Sequence, residues 1–179
     1  MPATVRTHAG ISPTLGDRVF LAETCAVIGD VVIGAQSSIW YGTVVRGDVM
    51  PIRIGERTSV QDNAVVHVTS GRSGTSIGSD CTIGHAAIIH ACTVEDFCLI
   101  GMGAILLDGC RIGRGSLVGA GALVTPGTVI PPDSLVVGSP AVLKRPISDK
   151  EREQIRLGAS HYVELSARYL AESERSSLG

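Results

Sequence analysis

The chain has 179 residues, 44% of them hydrophobic and 3% aromatic, with 15 Lys or Arg against 17 Asp or Glu for a net charge of −2. That length suits one domain, and the near balance of charge, the lack of a basic run and the scarcity of rings to stack on bases exclude nucleic acid as a partner. No uncharged apolar run long enough to span a bilayer occurs and the start, MPATVRTHAG, lacks the apolar stretch of a secretory signal, so no membrane partner is expected and the default localisation is cytoplasmic.

Past a short lead-in the residues fall into a repeat. Every sixth residue from Leu21 gives Leu21, Val27, Ile33, Ile39 and Val45, and after a three-residue insertion the series resumes at Ile54, Val60 and Val66. It returns at Ile77, Ile83 and Ile89, slips by one residue, and runs from Val94 through Ile100, Leu106, Ile112, Val118, Val124 and Ile130 to Val136. A period of six is neither that of an amphipathic helix nor that of a simple strand. It predicts a parallel β-helix in which three hexads close a triangular turn of about 18 residues, with rungs stacked about 4.8 Å apart and the aliphatic side chains filling the prism. Two residues before most of these positions the residue is small, as at Ser37, Thr43, Ala64, Ala87, Ala104, Ser116 and Ala122, which suits a tight corner. Many of the 22 glycines directly follow an aliphatic position, where the chain must bend. All five cysteines (Cys25, Cys81, Cys92, Cys98, Cys110) stand in the small register, so they are expected to be free thiols acting as apolar fillers rather than metal ligands or disulfides.

The same register sorts the polar residues. Arg46, Asp48, Gln61 and Asp62 lie mostly outside the inward positions; each alone reads as surface solvation, and together they could form an ion pair across a subunit contact. A histidine among apolar neighbours is most simply a buried imidazole with one hydrogen bond. That reading fails for His67, which follows Val66, for His90, which follows Ile89, and for His85, two past Ile83, because none occupies an inward position. His67 and His85 are 18 residues apart, which predicts adjacent rungs, with His90 a hexad further on. Three outward imidazoles without a fourth protein ligand have the composition of a catalytic zinc site, and Fe2+ or Co2+ would also accept them. Side chains on an outer face diverge, so a neighbouring subunit is needed to complete the set, and the triangular section predicts a homotrimer.

From Pro146 the pattern changes. Ser148 and Glu151 form a capping box, and Ile155, Tyr162, Leu165, Tyr169 and Leu170 recur at helical spacing, which predicts an amphipathic helix over roughly 148–173, packed along the coil and followed by a frayed end, ESERSSLG. The expected division is 1–145 for the β-helix with its lead-in and 146–179 for the helix and tail.

The residues R-G-D at 46–48, Q-D-N at 61–63, His67 and G-H-x4-H at 84–90 resemble the gamma-class carbonic anhydrases, a family of short left-handed β-helix proteins, over roughly residues 10–172. The resemblance implies a mainly β fold, a single-stranded left-handed parallel β-helix with a C-terminal helix packed along it. It also implies a homotrimer with three interface metal sites, His67 and His90 coming from one chain and His85 from its neighbour, holding Zn2+ or, in its place, Fe2+ or Co2+. By the same likeness Arg46 and Asp62 make interface contacts supported by Asp48, Gln61 orients a metal-bound hydroxide that attacks carbon dioxide to give bicarbonate, and Tyr162 is the aromatic brought to the site by the helix. The chain departs from the family archetype where a proton must leave. The archetypal acidic loop is VTSGRSGTS here, without a carboxylate, a second glutamate is replaced by Val49, and an asparagine by Glu164. Low activity is therefore part of the expectation.

Two other readings stay open. The segment VVGSPAVLKRP at 136–146 resembles the exit segment of hexapeptide-repeat acyltransferases that use an acyl-CoA donor, in which one histidine serves as general base. A metal-binding trimeric scaffold without hydration activity is the other.

Overall fold

A side chain that recurs every six residues can always point inward only if the backbone turns a corner in each hexad. The computed structural model, which describes residues 3–176, has the chain doing this for about seven turns of a parallel β-helix, followed by one C-terminal helix. One face of the prism stacks Phe20–Leu21, Ser38–Ile39, Ser59–Val60, Thr82–Ile83, Leu99–Ile100, Leu117–Val118 and Ser134–Gly138 in parallel register. A second face carries Val65–His67, Ile88–His90, Ile105–Leu106 and Leu123–Val124. The third carries Thr75–Ile77, Thr93–Val94, Arg111–Ile112 and Val129–Ile130. Two long strands, Ala26–Ile33 and Val44–Ile54, run across the corner between the second and third faces and join them into one sheet.

The core follows the period. Every residue of the aliphatic series except Leu21 is buried, as is the small register except Thr128. Val31 and Ile52, outside the series, are also buried, because the pairing of the two long strands shifts between Gly29 and Val31 and an extra residue from each turns inward. All five cysteines are free and buried.

Corners decide which glycines are replaceable. A Cβ on Gly101 would stand 2.4 Å from the amide nitrogen of Ala120 and 2.7 Å from the carbonyl carbon of Gly119 on the next rung, whereas one on Gly103 would meet nothing within 4 Å. Gly103 has φ +65°, a conformation that Asn63 and Ala86 adopt at the same corner. Gly101→Ala is therefore expected to destabilise by about 3 kcal/mol, since backbone cannot yield as a side chain can, and Gly103→Ala by only about 1 kcal/mol. Paired thermal unfolding midpoints check this, and equal shifts would contradict the stacking argument.

The capping box forms as the sequence predicts: the Ser148 hydroxyl accepts from the Glu151 amide at 3.3 Å, and the Glu151 carboxylate accepts from the Ser148 amide at 2.7 Å. The helix, α1 (Asp149–Ser176), is longer than the spacing predicts, running through residues 172–176, where a frayed end is expected; residues 177–179 lie outside the described residues. Tyr162, Leu165, Tyr169 and Leu170 pack on Phe20, Ala22 and Trp40 of the first face, with Trp40 edge-on to Tyr169 at 5.4 Å and to Tyr162 at 5.8 Å between ring centroids. This docking brings Tyr162 beside Gln61.

Candidate functional site

His67 and His90 end their strands on the second face and are register partners, 23 residues apart. The expected stacking of His67 on His85 is thus incorrect. The loop of residues 69–75 lengthens this turn beyond 18 residues, so the rung after His67 brings His90 over it. His85 lies in the corner before that strand, on the opposite edge of the second face, stacked over Asp62.

The two partnered rings lie 5.3 Å apart between centroids, with Nδ1 of His67 3.3 Å from Nε2 of His90. Their remaining nitrogens each meet a carboxylate: Nε2 of His67 lies 3.1 Å from Oδ1 of Asp48, and Nδ1 of His90 lies 2.7 Å from Oδ1 of Asp108. An ionised carboxylate only accepts, so each imidazole must donate to its acid, and in the neutral rings the two facing nitrogens then carry lone pairs. Facing lone pairs call for a cation between them. Two nitrogens bound tetrahedrally to one metal at about 2.0–2.1 Å stand about 3.3–3.4 Å apart, so this pair fits a divalent metal that takes imidazole.

Both acids are themselves held. Burial raises the Asp48 carboxyl, but hydrogen bonds from Arg46 and His67 and the guanidinium charge outweigh it and keep it below its ordinary value. Arg46 forms an ion pair with Asp48 inside the same chain. The Thr69 hydroxyl first, and His90 second, hold the Asp108 carboxyl below its ordinary value against a smaller effect of burial.

The other edge of the second face gathers His85, Asp62, Gln61 and Tyr162. Nδ1 of His85 lies 2.8 Å from Oδ2 of Asp62, which fixes the donor there and leaves Nε2 outward. Gln61 is buried, at 5% exposure, and hydrogen-bonds Tyr162, whose phenol is raised by burial and next by the Asp62 charge, with Gln61 opposing. Glu164 is exposed. Among the described residues, no three His, Cys, Asp or Glu side chains of one chain converge on a metal position. Between the two edges runs an outward aliphatic column, Val44, Val65, Ile88, Ile105 and Leu123, partnered rung to rung. Val65 and Ile88 in it are 37% and 36% exposed.

Sequence reasoning misses Asp108 and Thr69. The one-residue slip between Ile89 and Val94 puts Leu106 over Ile89, and counting two further reaches Asp108 beside His90.

A hexapeptide-repeat parallel β-helix with three carboxylate-held imidazoles on its outer surface, two of them paired, is the class that fold and site define. Residues 91–126 match the profile of the bacterial transferase hexapeptide (six repeats), and residues 74–106 that of the hexapeptide repeat of succinyl-transferase. Within that class the chain belongs to the gamma carbonic anhydrase family. It is 43% identical over 171 residues to a carbonic anhydrase of Geobacillus kaustophilus, covering 95% of this chain and 93% of that one. It is 45% identical over 170 residues to the mitochondrial gamma carbonic anhydrase 2 of Arabidopsis thaliana, covering 92% of this chain but spanning only 61% of that relative's length. In three dimensions it is similar to a hexapeptide transferase family protein from Anaplasma phagocytophilum, with a TM-score of 0.89, 41% identity, and 93% of this chain and 98% of that chain covered.

Proposed function

We propose that the chain catalyses the metal-dependent reversible hydration of carbon dioxide to bicarbonate, as a cytoplasmic homotrimer with its sites at subunit interfaces. The observation that carries this reading is the 3.3 Å approach of His67 Nδ1 to His90 Nε2, each ring held from behind by a carboxylate. His85, aimed outward from the far edge of the second face, is the third ligand and serves the neighbour's pair, with the aliphatic column between the edges as the surface that packs against that neighbour. Zn2+ suits three imidazoles, and Fe2+ or Co2+ would be accepted in its place. Held by these imidazoles, such a metal would supply Lewis acidity toward a water in the open position, the chemistry that hydration at neutral pH requires.

The chain's own residues do the rest. Asp48 and Asp108 hold the tautomers of His67 and His90, and Asp62 holds that of His85. Gln61 and Tyr162 present hydrogen-bonding groups beside His85, where the reacting oxygens must be oriented, and Arg46 keeps Asp48 ionised. The loop of residues 69–75 offers no carboxylate to carry the released proton, so turnover is expected to be slow and to rise with buffer concentration.

Stopped-flow hydration of carbon dioxide by metal-reconstituted protein, beside His85→Ala, tests the reading. A chelator-sensitive rate is expected in the first and none in the second. Equal rates from both would sink it. The transferase names of its fold relatives favour a second reading, acyl transfer from acyl-CoA, for which chelator-resistant turnover of acetyl-CoA would be the sign.

A further inference from the structure

The loop of residues 69–75 lengthens the turn between the two paired histidines, and each of its anchors ends at them. The Thr69 hydroxyl donates to Asp108, which holds His90. The Ser73 hydroxyl donates to the carbonyl of Ala91, next to His90, at 3.2 Å. The Thr75 hydroxyl donates to the carbonyl of His67 at 2.5 Å. Between these ties the chain makes a tight turn, in which the Arg72 amide donates to the Thr69 carbonyl at 3.3 Å and Gly71 takes φ +67°. The loop is thus fastened to the rim of the site with its tip at Arg72.

Arg72 is exposed, and among the described residues its guanidinium has neither an ion-pair nor a hydrogen-bond partner, in contrast to Arg46, Arg53, Arg57, Arg111, Arg114 and Arg145. The two acids that hold the paired histidines already have partners of their own. Asp48 is occupied by Arg46 and His67, and Asp108 by Thr69 and His90. No acid stands in 68–76. A solvated guanidinium gains little on its own, but its planar fork matches two oxygens of a small oxyanion, and a charge at the mouth of a site draws an ion of opposite sign over roughly a Debye length.

We propose that this loop is an anion-binding rim and that Arg72 captures bicarbonate, the charged partner of the reaction, beside His67 and His90. The proposal rests on the hydration reading for the identity of the anion. It assigns to the loop binding of the charged substrate rather than removal of a proton.

Bicarbonate titrated calorimetrically into metal-loaded wild type, Arg72→Ala and Arg72→Lys, with the metal content of each preparation measured, tests it. Removing a charge-assisted contact should weaken bicarbonate binding about tenfold in Arg72→Ala at low salt, with partial retention in Arg72→Lys and a smaller difference at high salt. Metal content and thermal midpoint should match wild type, because nothing in the fold leans on the guanidinium. Binding by fully metallated Arg72→Ala within twofold of wild type would overturn the role of Arg72, and would leave the hydration reading standing if wild type hydrates carbon dioxide. Conversely, Arg72-dependent bicarbonate binding by a wild type without hydration activity would sink the hydration reading and support the anion rim.

Discussion

His90→Ala is expected to take carbon dioxide hydration to the background rate and to lower metal affinity more than a hundredfold. Loss of a residue that merely holds a ligand typically weakens a metal site about 10- to 100-fold, so loss of a ligand itself must do more. Stability gives a second readout. A ligand present at about a hundred times its Kd stabilises the native state by about 2.7 kcal/mol, and a hundredfold weaker site at the same concentration retains only about 0.4 kcal/mol. The metal-induced rise in thermal midpoint should therefore shrink by roughly 5–9 °C for a chain of this size. The metal-free variant should lie within about 1 kcal/mol of metal-free wild type, because His90 is half-exposed and its loss gives up the hydrogen bond to Asp108 while relieving the 3.3 Å approach to the His67 ring nitrogen. A metal-free midpoint well below that of wild type would mean that the imidazole pair is a structural contact. Subunit sharing is tested with the same variant. In trimers co-assembled at equal ratio from His90→Ala and His85→Ala chains, about a quarter of the interfaces pair an intact His67–His90 set with an intact His85, so about a quarter of wild-type activity should return from two inactive parents. No recovery in verified mixed trimers would place all three ligands in one chain.

The coil was legible in the sequence because one physical requirement, an aliphatic side chain pointing inward in each hexad, leaves a period that no insertion erases. Outward placement of the histidines followed from the same phase. Their pairing did not, because a rung partner depends on the total length of the intervening turn, and the loop of residues 69–75 makes that turn 23 residues long between His67 and His90. The irregularity near Gly29 hid Val31 and Ile52 from the core for the same reason. Asp108 was hidden differently: an acid in a corner turn reads as solvated surface until the slipped register is carried one rung further. The contact of Gln61 with Tyr162 depends on where α1 docks, and helical spacing specifies which face of a helix is apolar but not its position along the coil.

Asp108→Ala is the substitution by which that register argument is tested in function. The carboxylate donates no proton and touches no substrate position; its effect passes through the His90 ring, which it orients and whose Nδ1 proton it fixes. Metal affinity, measured by competition with a chelator, is expected to fall about 10- to 100-fold, with hydration recovering at high metal concentration because both imidazoles remain. Asp108→Asn should lie between, since an amide oxygen still accepts from Nδ1 but carries no charge to balance the metal. Thr69→Val should move in the same direction by less, because the Thr69 hydroxyl is the largest cause of the lowered Asp108 carboxyl. The sign of the pH effect follows from that lowering. A carboxyl held below its ordinary 3.8 contributes its contact throughout the neutral range and loses it only as pH falls through the lowered value, so wild type should retain metal into mild acid where Asp108→Ala does not. Identical metal affinity in wild type and Asp108→Ala would show that His90 is oriented by its strand alone, and the loop anchored through Thr69 would then have no hold on the site through this acid.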